Sequence, residues 1–412
     1  METGSILKGP FLILLLNAFL GTIGVSLAIP VLPAYLAEMG AGGRILGLLV
    51  AAFSVTQFLF SPMAGEWTDK YGRRKFILLG MALFSFSEGL FAVGKTLWVL
   101  FLSRLLGGLA AACIIPAVMA YVADLTSEQL RAKGMGWLAA AMSLGLVIGP
   151  GVGGFLAEFG VRMPFYFASA VALVALLFSF IWLPETRPIR AQLRARRRRR
   201  KSEPFLRQLA RSLRKPYTLL LLLMFAMSFG LANFESVFGL FVDDRFGFTP
   251  KDIAVVVTCA ALLGVLAQAV FVEKLASSFG ERPVVIVTLA LTAVGYAGIL
   301  LAWNFWSVLL VTMAAFMTTS ILRPTISTLL SKMAGDEQGF VAGMNNAYMS
   351  IGNVAGPLAA GFLYDCNETW PFLSASLVFV LCFAVALVGL KRMANRREAG
   401  AGGEGRNVSN MG

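Results

Sequence analysis

The amino-acid sequence predicts an all-α integral membrane protein, with twelve transmembrane helices in two pseudo-symmetric six-helix bundles. Three observations predict it. The chain is 58% hydrophobic and only 14% charged, with a mean hydropathy of +0.77, which leaves too little polar surface to solvate a globule. Apolar stretches of the ~20 residues needed to cross a hydrocarbon core recur along its whole length. The sequence also repeats: Gly149-Pro150-Gly151-Val152-Gly153-Gly154-Phe155-Leu156-Ala157-Glu158 returns 207 residues later as Gly356-Pro357-Leu358-Ala359-Ala360-Gly361-Phe362-Leu363-Tyr364-Asp365. Met142-Ser143, Gly145 and Pro164-Phe165 return at the same spacing as Met349-Ser350, Gly352 and Pro371-Phe372. A spacing of nearly half the chain describes one unit written twice. In an apolar chain that pattern belongs to transporters whose substrate site lies between the halves.

The expected spans cover residues 11–36, 45–64, 76–95, 97–122, 135–158 and 164–183 in the first half. In the second they cover 217–241, 253–272, 283–302, 306–331, 340–364 and 370–390. Closed barrels show alternation over about ten residues instead, so these spans are helices with internally satisfied backbones. The first is too long in its apolar part for a cleaved signal peptide, lacks a small-residue cleavage pattern, and is expected to be retained. Residues 1–183 thus form an N-terminal bundle and 217–390 a C-terminal bundle. Between them, 184–216 is a basic linker in which Pro204–Arg214 is amphipathic and expected to lie on the membrane surface. Residues 391–412 are a tail, and its Gly-, Asn- and Ser-rich part after Arg397 is expected to lack structure.

Charge orients the spans. Of 35 Lys and Arg residues, 28 fall at the termini, in the linker and in the loops after even-numbered spans. Under the positive-inside rule both termini are cytoplasmic. The same bias accounts for the net charge of +13 and assigns the run Arg194–Lys201 to anionic lipid rather than nucleic acid. The four Cys have no metal or disulfide spacing, and there is no His. Any protonation switch must therefore run on carboxylates. Without a metal cluster or nucleotide-binding loop in the sequence, neither a cofactor, an enzymatic activity nor direct ATP drive is expected.

Three motifs carry mechanism. Gly65-Glu66-Trp67-Thr68-Asp69-Lys70-Tyr71-Gly72-Arg73-Arg74-Lys75 joins the second and third spans. Its glycines permit close approach and a tight reversal, and Asp69 is an acid among cations at a helix end. In the fourth span Arg104 is a cation about 10 Å below the surface, where it must face a cavity or a counter-charge. In the fifth, Gly145, Gly149 and Gly153 recur every four residues with Pro150 among them and Gly154 beside them, stripping one helix face for close packing. The loop, with Gly65, Asp69, Gly72, Arg73 and Arg74 as its gate residues, resembles the signature loop of the major facilitator superfamily. The glycine stripe resembles the motif of exporters in that superfamily.

The likeness continues through Gly24–Pro33, Phe84–Glu88, Met163–Phe167, Ser228–Ser236 and Gln338–Phe340, which resemble the NorA- and Bmr-type multidrug exporters, a group of twelve-span drug:proton antiporters. The resemblance implies a bacterial plasma-membrane protein, monomeric, that exports small lipophilic or cationic compounds such as dyes and quinolone-type drugs in exchange for protons. Only Glu88 and Glu235 are acids well inside spans. Burial and a neighbouring Arg move a carboxyl pKa in opposite directions, so such a group can be set to exchange protons near neutrality. The resemblance makes Glu235 the proton- and cation-binding carboxylate, with Glu88, Arg104 and Arg323 as further coupling candidates. It also places Asn17, Phe53, Gln57, Ser143, Leu146, Asn233, Phe234 and Asn346 at the substrate cavity. Ser320 belongs with them, standing where such exporters usually carry an Asp three residues before Arg-Pro. A dedicated exporter of a metabolite such as a polyamine or siderophore, and a non-transporting membrane receptor, are the alternatives.

Overall fold

The computed structural model describes residues 9–188, 192–193 and 205–408; the arginine-rich run from Arg194 to Lys201 lies outside them. Described residues fold into fourteen α-helices and two short 3₁₀ turns. The N-terminal half contains α1 (Gly9–Ser26), α2 (Leu32–Ala37), α3 (Gly43–Tyr71), α4 (Arg73–Val93), α5 (Leu97–Leu125), α6 (Glu128–Ala157) and α7 (Met163–Trp182). After the linker helix α8 (Phe205–Ser212) come α9 (Thr218–Phe246), α10 (Pro250–Phe279), α11 (Glu281–Gly298), α12 (Phe305–Ala334), α13 (Gln338–Cys366) and α14 (Trp370–Val408).

Eleven of these helices are long and apolar enough to cross a membrane. The remaining expected span, α13, is long enough at 29 residues, but Asn345, Asn346, Ser350 and Asn353 dilute its apolar character. The chain is a multi-pass membrane protein. The ends of α1 and α14 that face the chain termini share a side with the linker, here the linker face. At the opposite, far face, Trp98, Trp303, Trp306 and Trp370 are exposed near the starts of α5, α12 and α14, as in the aromatic belt of a membrane interface.

Two expectations are corrected. The single span foreseen over 11–36 is broken: α1 stops at Ser26 and α2 starts at Leu32. Pro30 has no N–H for a helical ladder, and Pro33 sits in the first turn of α2, where that loss costs nothing. At the other end, α14 continues to Val408, past Arg397 where composition predicts structure to end; propagating an existing helix adds one hydrogen bond per residue without a new nucleus.

The two bundles have the same internal packing. In the first, α6 lies on α1: a Cβ at Gly145 would stand 2.6 Å from the Phe19 carbonyl oxygen, and one at Gly149 3.0 Å from that of Ile23. In the second, α13 lies on α9 the same way: a Cβ at Gly352 would stand 2.6 Å from the Phe225 oxygen and one at Gly356 2.5 Å from that of Phe229. The repeated glycines therefore mark one contact made twice. A Cβ at Gly153 would collide with the backbone oxygen of Leu27, whereas one at Gly136, on the same helix, would meet nothing within 4 Å. Backbone cannot swing aside as a side chain can. Gly153→Ala is expected to destabilise the protein by about 1–3 kcal/mol and Gly136→Ala to leave it unchanged, read by thermal unfolding in detergent.

The halves meet along two seams, α3 with α13 and α6 with α10. Both are tight at the far face. Gly47 abuts the Pro357 carbonyl, Gly361 abuts that of Gly43, and a Cβ at Gly154 would stand 2.8 Å from the Pro250 oxygen.

The amphipathic linker segment does not simply rest on the bilayer. Helix α8 reaches both bundles: the Phe205 ring meets Phe58 of α3 edge-on at 5.5 Å, and the Ser212 hydroxyl bonds to Tyr348 of α13 at 3.0 Å. Glu337, in the turn before α13, anchors its C-terminal end by accepting from Lys215 at 2.6 Å, Tyr217 at 2.9 Å and Arg211 at 3.1 Å. These donors, Lys215 first, hold the Glu337 carboxyl down at about 2. A depressed carboxyl stabilises docking above the free value of ~4.3, and that contribution fades as pH falls through ~4 to about 2. Hydrogen exchange of residues 205–212, corrected for intrinsic rates, is expected to be constant from pH 8 to 5 and to rise below pH 4. Glu337→Gln should raise it already at pH 7; equal exchange in variant and wild type would contradict the anchor.

Candidate functional site

On the linker face the α3–α13 seam parts into a cavity of about 640 Å³, well within the size range of small-molecule sites. Gln57, Phe58 and Ser61 of α3 face Asn346, Ser350 and Asn353 of α13 across it, and Phe205 and Gln208 of α8 stand at its edge. The structure is thus open to the linker face and closed at the far face. Gln57 and Asn346, which the resemblance assigns to a substrate cavity, both line this one.

A smaller cavity of about 80 Å³ lies inside the N-terminal bundle. Its wall is almost wholly apolar, with Thr22, Phe84, Ile115, Met119 and Met142 among the contributors. Ser143 is half-buried on α6 next to Met142, and Leu146 is 49% exposed on the same helix; neither borders the larger cavity.

Several other expected cavity residues are structural. Asn17 is fully buried, donates to the Ser179 hydroxyl of α7 at 2.7 Å and borders the small apolar cavity. Asn233 is likewise buried, donating to Ser374 of α14 at 3.1 Å. Phe234 sits in the core of the C-terminal bundle, its ring 4.8 Å from Tyr296, 5.2 Å from Phe238 and 5.5 Å from Phe372. Phe53 packs on Gly107 and Gly108 of α5 within its own bundle. The Ser320 hydroxyl points at Gly264 of α10, 2.5 Å from where a Cβ would stand.

The charged residues separate into two kinds. Glu88 and Arg104 form a buried ion pair between α4 and α5: one guanidinium nitrogen lies 3.2 Å from both carboxylate oxygens, and the cation also lies over Phe91 at 4.2 Å. The pair is 1% and 8% exposed at its side chains. Ser87 and Ser103 bond reciprocally alongside, each hydroxyl donating to the other's carbonyl at 2.7 and 2.8 Å. Arg104 has therefore found its counter-charge within its own bundle. Glu235 is the opposite case. It lies on the incompletely covered strip of α9 with Phe225, Phe229, Ala232 and Ser236, and among the described residues it has no hydrogen bond or ion pair. Arg323 of α12 is exposed, with the Met349 sulfur of α13 at 3.9 Å.

The loop between α3 and α4 is tied to its own half. Asp69 meets Arg73 at 2.5 Å and Arg187 at 3.4 Å, and Arg73 also reaches Asp124 at 3.2 Å. Gly72 turns with φ +106°, a left-handed conformation that favours glycine. Its reversal lets Glu185 accept from the backbone N–H groups of Arg73 and Arg74 at 2.9 and 3.2 Å. Arg74 caps the end of α7 by donating to the Phe180 carbonyl at 2.5 Å. Gly65 faces Pro116 of α5 at ordinary contact distance.

Two matched bundles, closed together at one face and parted around a cavity at the other, define a membrane carrier of the two-domain class. The family model of the Major Facilitator Superfamily matches residues 14–270 and 220–410. The chain belongs to the major facilitator superfamily. It is 44% identical to Multidrug resistance protein 2 of Bacillus subtilis over 383 residues, covering 92% of this chain and 95% of that protein. It is 36% identical to the Quinolone resistance protein NorA of Staphylococcus aureus over 386 residues, covering 94% and 98%. A crystal structure of a bacterial homolog of the human lysosomal transporter Spinster superimposes with a TM-score of 0.75 at 16% identity, covering 92% of this chain and 96% of that one, a likeness of fold.

Proposed function

We propose that the chain is a proton-coupled multidrug efflux transporter of a bacterial plasma membrane, working as a monomer with both termini and the linker face in the cytoplasm. The observation that carries this reading is Glu235. It is a carboxylate inside a span, on an incompletely covered helix strip, with no hydrogen bond or ion pair among the described residues, while the other such acid, Glu88, is neutralised by Arg104. A lipophilic compound reaches the cavity between α3 and α13 from the cytoplasm. Its cationic group and a proton compete for Glu235. A proton arriving from outside displaces the compound outward, and deprotonation toward the cytoplasm resets the site. The membrane potential adds ~2.3 kcal/mol per charge per 100 mV, enough for concentrative export. The names of the relatives support drugs, quinolones among them, as substrates.

Arg323, exposed on α12, adds a charge of the opposite sign within the spans. With Ser320 beside it in sequence rather than an acid, its charge has no carboxylate three residues away. Compounds bearing both an amine and a carboxylate match this pair of charges better than dications do. The reading is tested in proteoliposomes with an imposed pH gradient and a panel of cationic dyes, dications and quinolones. Gradient-driven flux of several unrelated compounds is expected; flux of one metabolite alone would favour a dedicated exporter.

A further inference from the structure

Arg44 stands 207 residues before Lys251, and Glu158 stands 207 residues before Asp365, the spacing that relates the repeated Gly-Pro segments. The fold turns these four residues into two equivalent bridges. Arg44, in the first turn of α3, lies 3.7 Å from Asp365 near the end of α13 and donates its backbone N–H to the same carboxylate at 3.2 Å. Lys251, in the first turn of α10, reaches Glu158 just past α6 at 2.8 Å. Each bridge joins one bundle to the other, and each sits at the far-face end of one seam. The N-terminal bundle gives the base to the first seam and the acid to the second.

Local electrostatics does not favour these placements. A base at a helix N-terminus and an acid at a C-terminus both oppose the helix dipole, and here all four residues do so. A residue that conflicts with its own element and is satisfied only by a partner element points to a role between elements. We propose that the two pairs are matched latches that hold the far face shut in the state seen here and must both part before it opens. The glycine contacts at the same seams bring backbones together without directional charge; the latches add a reversible bias. Their side chains are 54% and 32% exposed in one pair and 57% and 43% in the other, so each shifts the closed-to-open ratio by about two- to fivefold. Bonds of that strength can be broken in every transport cycle. The inference rests on alternating access, but not on the drug or proton assignments.

The test uses the full chain in lipid nanodiscs with its four native Cys replaced. Spin labels are placed at Lys95→Cys and Trp303→Cys, in far-face loops of opposite bundles, and distances are read by pulsed electron resonance with and without ethidium. Glu158→Gln and Asp365→Asn are each expected to raise the open-to-closed ratio two- to fivefold, and together by roughly the product. The swaps Glu158→Lys/Lys251→Glu and Arg44→Asp/Asp365→Arg are expected to bring it back to the wild-type value or below, which a misfolded variant could not do. Two populations whose ratio none of these changes moves would overturn the latches alone. A single fixed distance in the wild type under every condition would overturn alternating access, and the latches with it.

Discussion

Glu235→Gln is expected to reduce gradient-driven dye efflux at least tenfold while leaving the protein folded. Glutamine keeps the shape of the side chain and removes its titration. Because Glu235 has no hydrogen bond or ion pair among the described residues, no partner is orphaned by the change, which separates it from an ordinary core mutation. Bound cation loses its counter-charge and proton exchange loses its site, so both halves of the cycle fail. Glu235→Asp keeps the titrating group about one bond shorter and is expected to retain part of the activity. Ethidium extrusion from energised cells expressing each variant at equal level is the measurement; a glutamine variant that extrudes like wild type removes Glu235 from the mechanism.

The largest effect on stability is expected at Glu88. Glu88→Gln leaves the Arg104 guanidinium buried between α4 and α5 without a counter-charge, and breaking such a pair costs about 3–5 kcal/mol. The ring of Phe91 beneath the cation compensates only in part. Removing both charges, in Glu88→Met/Arg104→Met, is expected to recover most of the loss, because no ion then remains to be solvated. The double variant should also keep dye efflux, since the pair faces its own bundle. Melting temperatures in detergent, measured for the single and double variants, decide the matter. A single variant as stable as wild type would mean that Arg104 is compensated elsewhere, and a stable double variant without efflux would return the pair to the coupling machinery.

Much of this architecture is legible in the sequence because the repeat is. Gly145, Gly149 and Gly153 predict a stripped helix face, and their counterparts 207 residues on predict that the face is used twice; both contacts are present. Gln57 and Asn346, which the resemblance rather than the repeat assigns to a cavity, line the one between α3 and α13. What periodicity does not give is the rotation of a helix that is apolar all round. Asn233, Phe234 and Glu235 are consecutive, and at 100° per residue Asn233 and Glu235 point to different sides. The bundle core takes Asn233 and Phe234, and Glu235 falls on the less covered strip of α9. Asn17 is a similar case: in a span this apolar its amide turns inward to the Ser179 hydroxyl of α7. The docking of α8 through Glu337 has no local signal, because Glu337 lies 120 to 126 residues away from the donors Arg211, Lys215 and Tyr217. The two latches do have one, since Arg44, Lys251, Glu158 and Asp365 obey the repeat spacing.

Coupling is measured most directly by recording proton and dye movement together in proteoliposomes that contain only this protein. With the interior acid, ethidium is expected to accumulate against its gradient while protons leave, both fluxes collapsing together when an ionophore removes the pH difference. In the Glu235→Gln vesicles neither should exceed the leak. Dye accumulation that persists at full rate without the pH difference, or proton movement that ignores the dye, would contradict proton-coupled exchange at Glu235.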